Sequence, residues 1–168
     1  MKRLFLMLLL AGCASYGGMG LEPGKATAAD VRAKMGEPTT VRKLADGGEV
    51  LWYSRLPYGR ESFAVRLDKD GRLASIEQRL TSDHIAKVVP NKSSAEDVLD
   101  TLGPPYRVLD LPRQERKAWE YQLKGNFTPQ VLYVQLSADN VVRELVQIED
   151  QAPRPGIFFG FGGIGIGF

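Results

Sequence analysis

Cysteine and histidine are almost missing from this chain: Cys13 and His84 are the single examples of each among 168 residues. One thiol allows no internal disulfide, so the fold must rest on apolar burial alone. One histidine excludes a histidine-rich metal site. A surplus of either charge is missing too, with 22 Lys and Arg against 20 Asp and Glu. Binding the nucleic-acid backbone needs basic charge concentrated on one face, so nucleic acid is not an implied partner. The longest apolar run, Leu4 to Leu10, is also too short to cross a bilayer as a helix.

That short run reads as a targeting segment, because Lys2 and Arg3 precede it and small residues follow it. Leu10-Ala11-Gly12-Cys13 resembles the lipobox of bacterial lipoproteins, which are cut before the cysteine and acylated on its thiol and new amino group. On this reading residues 1–12 are a lipoprotein signal peptide, and 13–22 are an acylated N-terminal linker. Cys13 is then the lipid-attachment residue, carrying diacylglyceryl and acyl (palmitate-type) groups, and no other cofactor is implied. Each buried methylene adds about 0.8 kcal/mol, so two or more chains hold firmly to a membrane surface. Removing Lys2 and Arg3 with the leader takes the formal charge from +2 to zero. Ala14, rather than an aspartate, follows the cysteine, which resembles the signal for delivery to the outer membrane.

Self-comparison is more informative than any motif. "TAADVRAKMGEP" at Thr27–Pro38 aligns with "SAEDVLDTLGPP" at Ser94–Pro105 at an offset of 67, and Trp52 falls on Trp119 at the same offset. Thr27 and Ser94 can cap helix N-termini, with Asp30 and Asp97 as the reciprocal half of a capping box. Val31 and Met35, like Val98 and Leu102, are four apart and share one side of a helix. Gly36 and Gly103 suit the residue after a helix, and Pro38 and Pro105 prevent its continuation.

Strand signals follow each helix. "TTVRKL", "VLWYSR", "SFAVRL" and "RLASIEQ" are separated by turns at Asp46-Gly47-Gly48, Pro57-Tyr58-Gly59 and Asp70-Gly71. Phe63, Val65 and Leu67 alternate with polar or small residues, the period of a strand with one covered face. Leu132, Val134 and Leu136 repeat them at an offset of 69, which implies two residues inserted between Trp119 and Leu132. Asp139-Asn140 matches the Asp70-Gly71 hairpin. The spacing gives "VVRELVQIE" no register. Each tryptophan is expected to pack its own helix on its own sheet.

A lipobox followed by "PGKATAADVRAKMGEPTTV", a Trp-Tyr strand and "VRLDKDGRL" resembles the SmpA/OmlA (BamE-like) family of outer-membrane lipoprotein domains. The likeness covers Pro23 to about Arg79 best and Asn91 to Asp150 less well. It implies an α+β fold of two tandem units, each a short helix packed on an antiparallel β-meander of three to four strands. The units would span 23–80 and 91–150, with a linker at 81–90 and a tail at 151–168. It further implies a protein-binding role in the cell envelope, with the outer-membrane β-barrel assembly machine as a candidate partner. The tandem arrangement also resembles the β-lactamase inhibitory proteins, so an anchored periplasmic inhibitor or binder of an envelope enzyme is the alternative.

Catalytic motifs fail on inspection, and no enzyme activity is expected. A Ser-His-Asp set through His84 lacks a nucleophile elbow, and a linker histidine is the simpler reading. "DKDGRLASIEQR" lacks the glycine and glutamate that a calcium loop needs, having Leu73 and Arg79 there. "GFGGIG" matches a dinucleotide fingerprint, but the three residues that follow it in the sequence leave no room for its helix.

"PRPGIFFGFGGIGIGF" alternates glycine with large apolar residues. Solvated tails seldom carry Phe158, Phe159, Phe161, Ile164, Ile166 and Phe168 together. The tail is therefore expected to dock on a partner or a membrane, and it resembles the C-terminal signal strand of outer-membrane barrels.

Overall fold

The structure, a computed structural model, describes residues 17–150 and the backbone of two further strands, Gly156–Gly160 and Gly163–Gly167. Helix α1 (Ala28–Met35) opens the first half, followed by strands β1 (Thr40–Lys43), β2 (Glu49–Ser54), β3 (Ser62–Leu67) and β4 (Leu73–Gln78). A short helix α2 (Ser82–Ile85) leads to α3 (Ala95–Leu102), then β5 (Arg107–Leu111), β6 (Arg116–Leu123), β7 (Gln130–Ser137) and β8 (Val142–Glu149). The fold is α+β, with two separate four-stranded antiparallel sheets in the orders β1-β2-β3-β4 and β5-β6-β7-β8.

Both capping boxes form as the sequence dictates. Thr27 and Ser94 accept from the backbone N–H groups of Asp30 and Asp97, whose carboxylates accept in return from the cap residues' N–H groups at 2.8 and 2.7 Å. Gly36 and Gly103 end the helices at φ +86° and +83°, which only glycine adopts cheaply. The hairpin turns follow suit, with Gly71 at φ +73° and Asn140 at +61°.

Two apolar clusters result. Val31 and Met35 are buried with Leu51, Tyr53, Val65, Leu67 and Leu73; Val98 and Leu102 are buried with Tyr121, Leu123, Leu132, Val134, Leu136 and Val142. The stretch expected as a linker, 81–90, contributes to the second cluster: Val88 is buried there, as is Leu80 at the end of the expected first unit, and Ile85 packs against it. β8, which the spacing left without a register, pairs with β7 from Gln130↔Glu149 to Leu136↔Val142. A register shift at Gln135/Leu136 repeats one at Arg66/Leu67.

Two sequence-based expectations are corrected. Tyr53 and Tyr121 each donate their phenol to the carbonyl of the glycine ending the preceding helix, Gly36 and Gly103, at 3.1 and 2.9 Å. They are therefore equivalent, at an offset of 68, and the coincidence of the tryptophans at 67 is not structural. The insertion is split, one residue before β6 and one between β6 and β7. Trp52 consequently occupies the sheet face opposite Leu51 and Tyr53, and it does not join the first cluster. Trp119 does pack against its own cluster.

The halves meet through that opposite face. Trp52, 4% exposed, lies against Gly103 at the end of α3. Arg42 on β1 reaches Glu96 at 2.8 Å and also Asp100, both on the side of α3 away from Val98 and Leu102. Helix α3 thus contributes Val98 and Leu102 to the second cluster and Glu96 and Asp100 to ion pairs with the first sheet. Arg60, in the β2–β3 loop, donates to the carbonyls of Leu123 and Gln130 at 3.3 and 3.4 Å and to Asp150. Lys124 pairs with Glu61, and Leu56 packs on the second cluster.

Candidate functional site

The expected site residues fall largely outside what is described. Cys13, Phe161 and Phe168 lie outside the described residues. Phe158 and Phe159 lie on strand β9 (Gly156–Gly160), and Ile164 and Ile166 on β10 (Gly163–Gly167). These strands form an antiparallel hairpin with the register Ile157↔Ile166 and Phe159↔Ile164, so positions 157, 159, 164 and 166 share one face.

His84 sits in α2, where its Nδ1 lies 2.9 Å from the Thr81 hydroxyl and its Nε2 3.9 Å from Glu77. Burial and the neighbouring Arg79 and Lys87 hold its pKa below the ordinary histidine value. Its hydroxyl neighbour is the residue capping α2, so this arrangement is a helix cap. Among the described residues no cluster of His, Cys, Asp and Glu could hold a metal ion, and no helix is long and apolar enough to cross a membrane.

What the two halves present in common is an edge. β1 and β5 each end a sheet, and each carries an exposed valine: Val41 is 44% and Val108 50% exposed. The two are equivalent at the offset of 67 that relates the helices, and in the register Val41 pairs with Leu51 and Val108 with Trp119, on the faces that carry the two apolar clusters. Charged residues interrupt both edges, Arg42 and Lys43 on one, Arg107 and Asp110 on the other. Tyr106, 42% exposed, precedes β5, with the Arg107 guanidinium 5.7 Å from its ring centroid. These valines were not singled out in the sequence, although the constant offset of 67 between "TTVRK" and "YRVLD" carries the signal.

The opposite face of the second sheet carries a buried carboxylate among polar and apolar neighbours. Glu120, only 1% exposed, accepts from Arg107 Nε at 2.7 Å and from Gln122 Nε2 at 2.7 Å. Glu120 pushes the Arg107 pKa up, through their hydrogen bond and charge attraction. Nearer the β6–β7 turn, an open depression of about 600 Å3 lies between α2 and the loop holding Phe127, which is fully exposed.

No family model matches the chain, and no curated protein matches it. Among solved structures the chain is similar to a DUF4309 family protein (YjgB) from Bacillus subtilis, with 21% identity, 79% of this chain and 84% of that chain covered, and a TM-score of 0.33. A likeness of that size carries no functional argument.

Proposed function

We propose that this chain is a membrane-anchored lipoprotein of the bacterial cell envelope, held by acylated Cys13, that binds envelope proteins along β1 and β5. Each half works as one module, a capped helix laid on its meander. The observation that carries the reading is the pair of equivalent exposed valines, Val41 and Val108, on strands that end their sheets. An unpaired edge with an apolar side chain is suited to pairing with an extended segment of another protein. Assembly of outer-membrane β-barrels, whose substrates supply such segments, is the process that the SmpA/OmlA resemblance suggests.

The test is a mild-detergent pull-down of the acylated chain from its own membranes, beside Val41→Lys/Val108→Lys and a form lacking 156–168, read by mass spectrometry. Envelope assembly proteins recovered with the native chain and lost with the double variant support the reading. Recovery of one soluble envelope enzyme instead supports the inhibitor alternative, and recovery of neither overturns both. Cys13→Ser, moving the chain from the membrane to the soluble fraction, checks the anchor.

A further inference from the structure

We infer that the end of the molecule carrying the β2–β3 and β6–β7 loops contacts the membrane, with the loop-tip aromatics Tyr58 and Phe127 entering the interfacial layer of a phospholipid bilayer. This surface presupposes the acylated Cys13 proposed above and is independent of the edge strands.

Tyr58, Phe127 and Met19 are the most exposed large apolar side chains among the described residues, at 94, 100 and 80%, and the next, Val108, is 50% exposed. Tyr58 and Phe127 occupy equivalent loops, between β2 and β3 and between β6 and β7. Arg60 and the Glu61–Lys124 pair tie those loops together, so both rings project from one end of the body. One exposed ring is ordinary on a protein surface; the most exposed apolar side chains gathered at one end are not.

The chain enters at the same end. Helix α1 starts beside Gly71, whose carbonyl accepts from the Ala28 N–H at 3.0 Å, and ends at Gly36, whose carbonyl accepts from Tyr53, one pair short of the β2–β3 loop. Met35 therefore lies toward the loop end. Gly18 sits against Met35 and Ile76, and Gly24 donates to the Leu73 carbonyl at 2.7 Å, so residues 18–24 run along β4 away from the loop end. Cys13 precedes Gly18 by five residues, which span at most about 18 Å. Acylated Cys13 thus keeps Met19 and its end of the body close to the lipid. The chain also leaves the second sheet here: Asp150 donates its N–H to the Pro129 carbonyl at 2.8 Å, six residues before the β9–β10 hairpin.

Isolated rings on separate hairpin tips do not make the continuous packed patch by which a protein partner is held. A fluid phase closes around each ring separately, and aromatic side chains settle at the headgroup level of a bilayer.

The full acylated chain in vesicles of phosphatidylethanolamine and phosphatidylglycerol, spin-labelled after Tyr58→Cys, Phe127→Cys or Asp70→Cys, tests this. Acylation occupies the native thiol, so each variant has one reactive cysteine, and all three positions are exposed. Labels at 58 and 127 should collide more often with lipid-dissolved oxygen than with an aqueous nickel chelate. The label at 70, in the β3–β4 turn at the far end, should show the reverse. Adding Phe127→Asp should raise the chelate collisions of the label at 58. A chain that does not float with the vesicles overturns both the anchor and this surface. Flotation with labels at 58 and 127 as water-exposed as the one at 70 overturns the surface alone. Labels in water on vesicles but immobilised in native envelope membranes would give the loops to a protein partner and overturn the lipid assignment.

Discussion

Trp52 and Gly103 touch across the two halves: a Cβ built on the glycine would stand 2.5 Å from the ring carbons Cε3 and Cζ3. The Ser62 hydroxyl, buried and without a hydrogen-bond partner, would be 3.0 Å away. Gly36 ends the other helix at nearly the same φ but has open space around it. The pair therefore separates backbone strain from packing. Gly36→Ala should lose about 1 kcal/mol from φ alone, whereas Gly103→Ala should lose a further ~1–3 kcal/mol from the clash. Urea unfolding of both variants measures the difference, and equal losses would mean that the junction is loose.

Arg60 ties the β2–β3 loop to the second sheet through the carbonyls of Leu123 and Gln130 and through Asp150. Its side chain is 19% exposed and that of Asp150 is 10% exposed, so solvent screens the contact only partly. Arg60→Ala should cost about 2 kcal/mol. It should also speed amide exchange at the facing ends of β6 and β7, while exchange in α1 stays unchanged. Uniform acceleration throughout the chain would show that the arginine supports global stability rather than this contact.

Acid should act through the helix caps. Hydrogen bonds from the Thr27 and Ser94 backbones, then from their hydroxyls, hold Asp30 and Asp97 below the ordinary value of 3.8. Because the folded pKa is the lower one, their stabilisation is present above pH 3.8 and disappears as pH falls through the folded value. Urea midpoints should fall in that range for the native chain and fall less for Asp30→Asn/Asp97→Asn. Parallel curves would remove the caps from the acid response.

Alkali should act through Tyr121, whose burial pushes its phenol pKa far above the ordinary 10.0. A raised folded value means that the neutral phenol's contribution is full below pH 10 and declines as pH rises above it. Spectrophotometric titration should therefore show one tyrosine ionising only with unfolding. Tyr121→Phe should abolish that step and cost about 1–3 kcal/mol, because it takes the hydrogen bond from a buried carbonyl. Tyr53→Phe, at a part-buried bond of 3.1 Å, should cost less.

The local sequence alone determined both capping boxes, the helix ends at Gly36 and Gly103, the turns at Gly71 and Asn140, and the existence of two similar halves. Hydrogen bonds over three residues and single-residue φ preferences govern those features, so a short stretch contains everything needed to read them. Tertiary structure decided which side each strand residue faces. The offset between halves drifts from 67 at the helix to 68 at β6 and 69 at β7, and each single-residue step exchanges the two faces of a strand. That drift puts Trp52 against Gly103, gives its place in the second sheet to Glu120, and leaves Trp119 beside its own core. The pairing partners that fix those registers lie a dozen or so residues away along the chain, so only the assembled sheets could assign the faces on which the junction and the buried Glu120 sit.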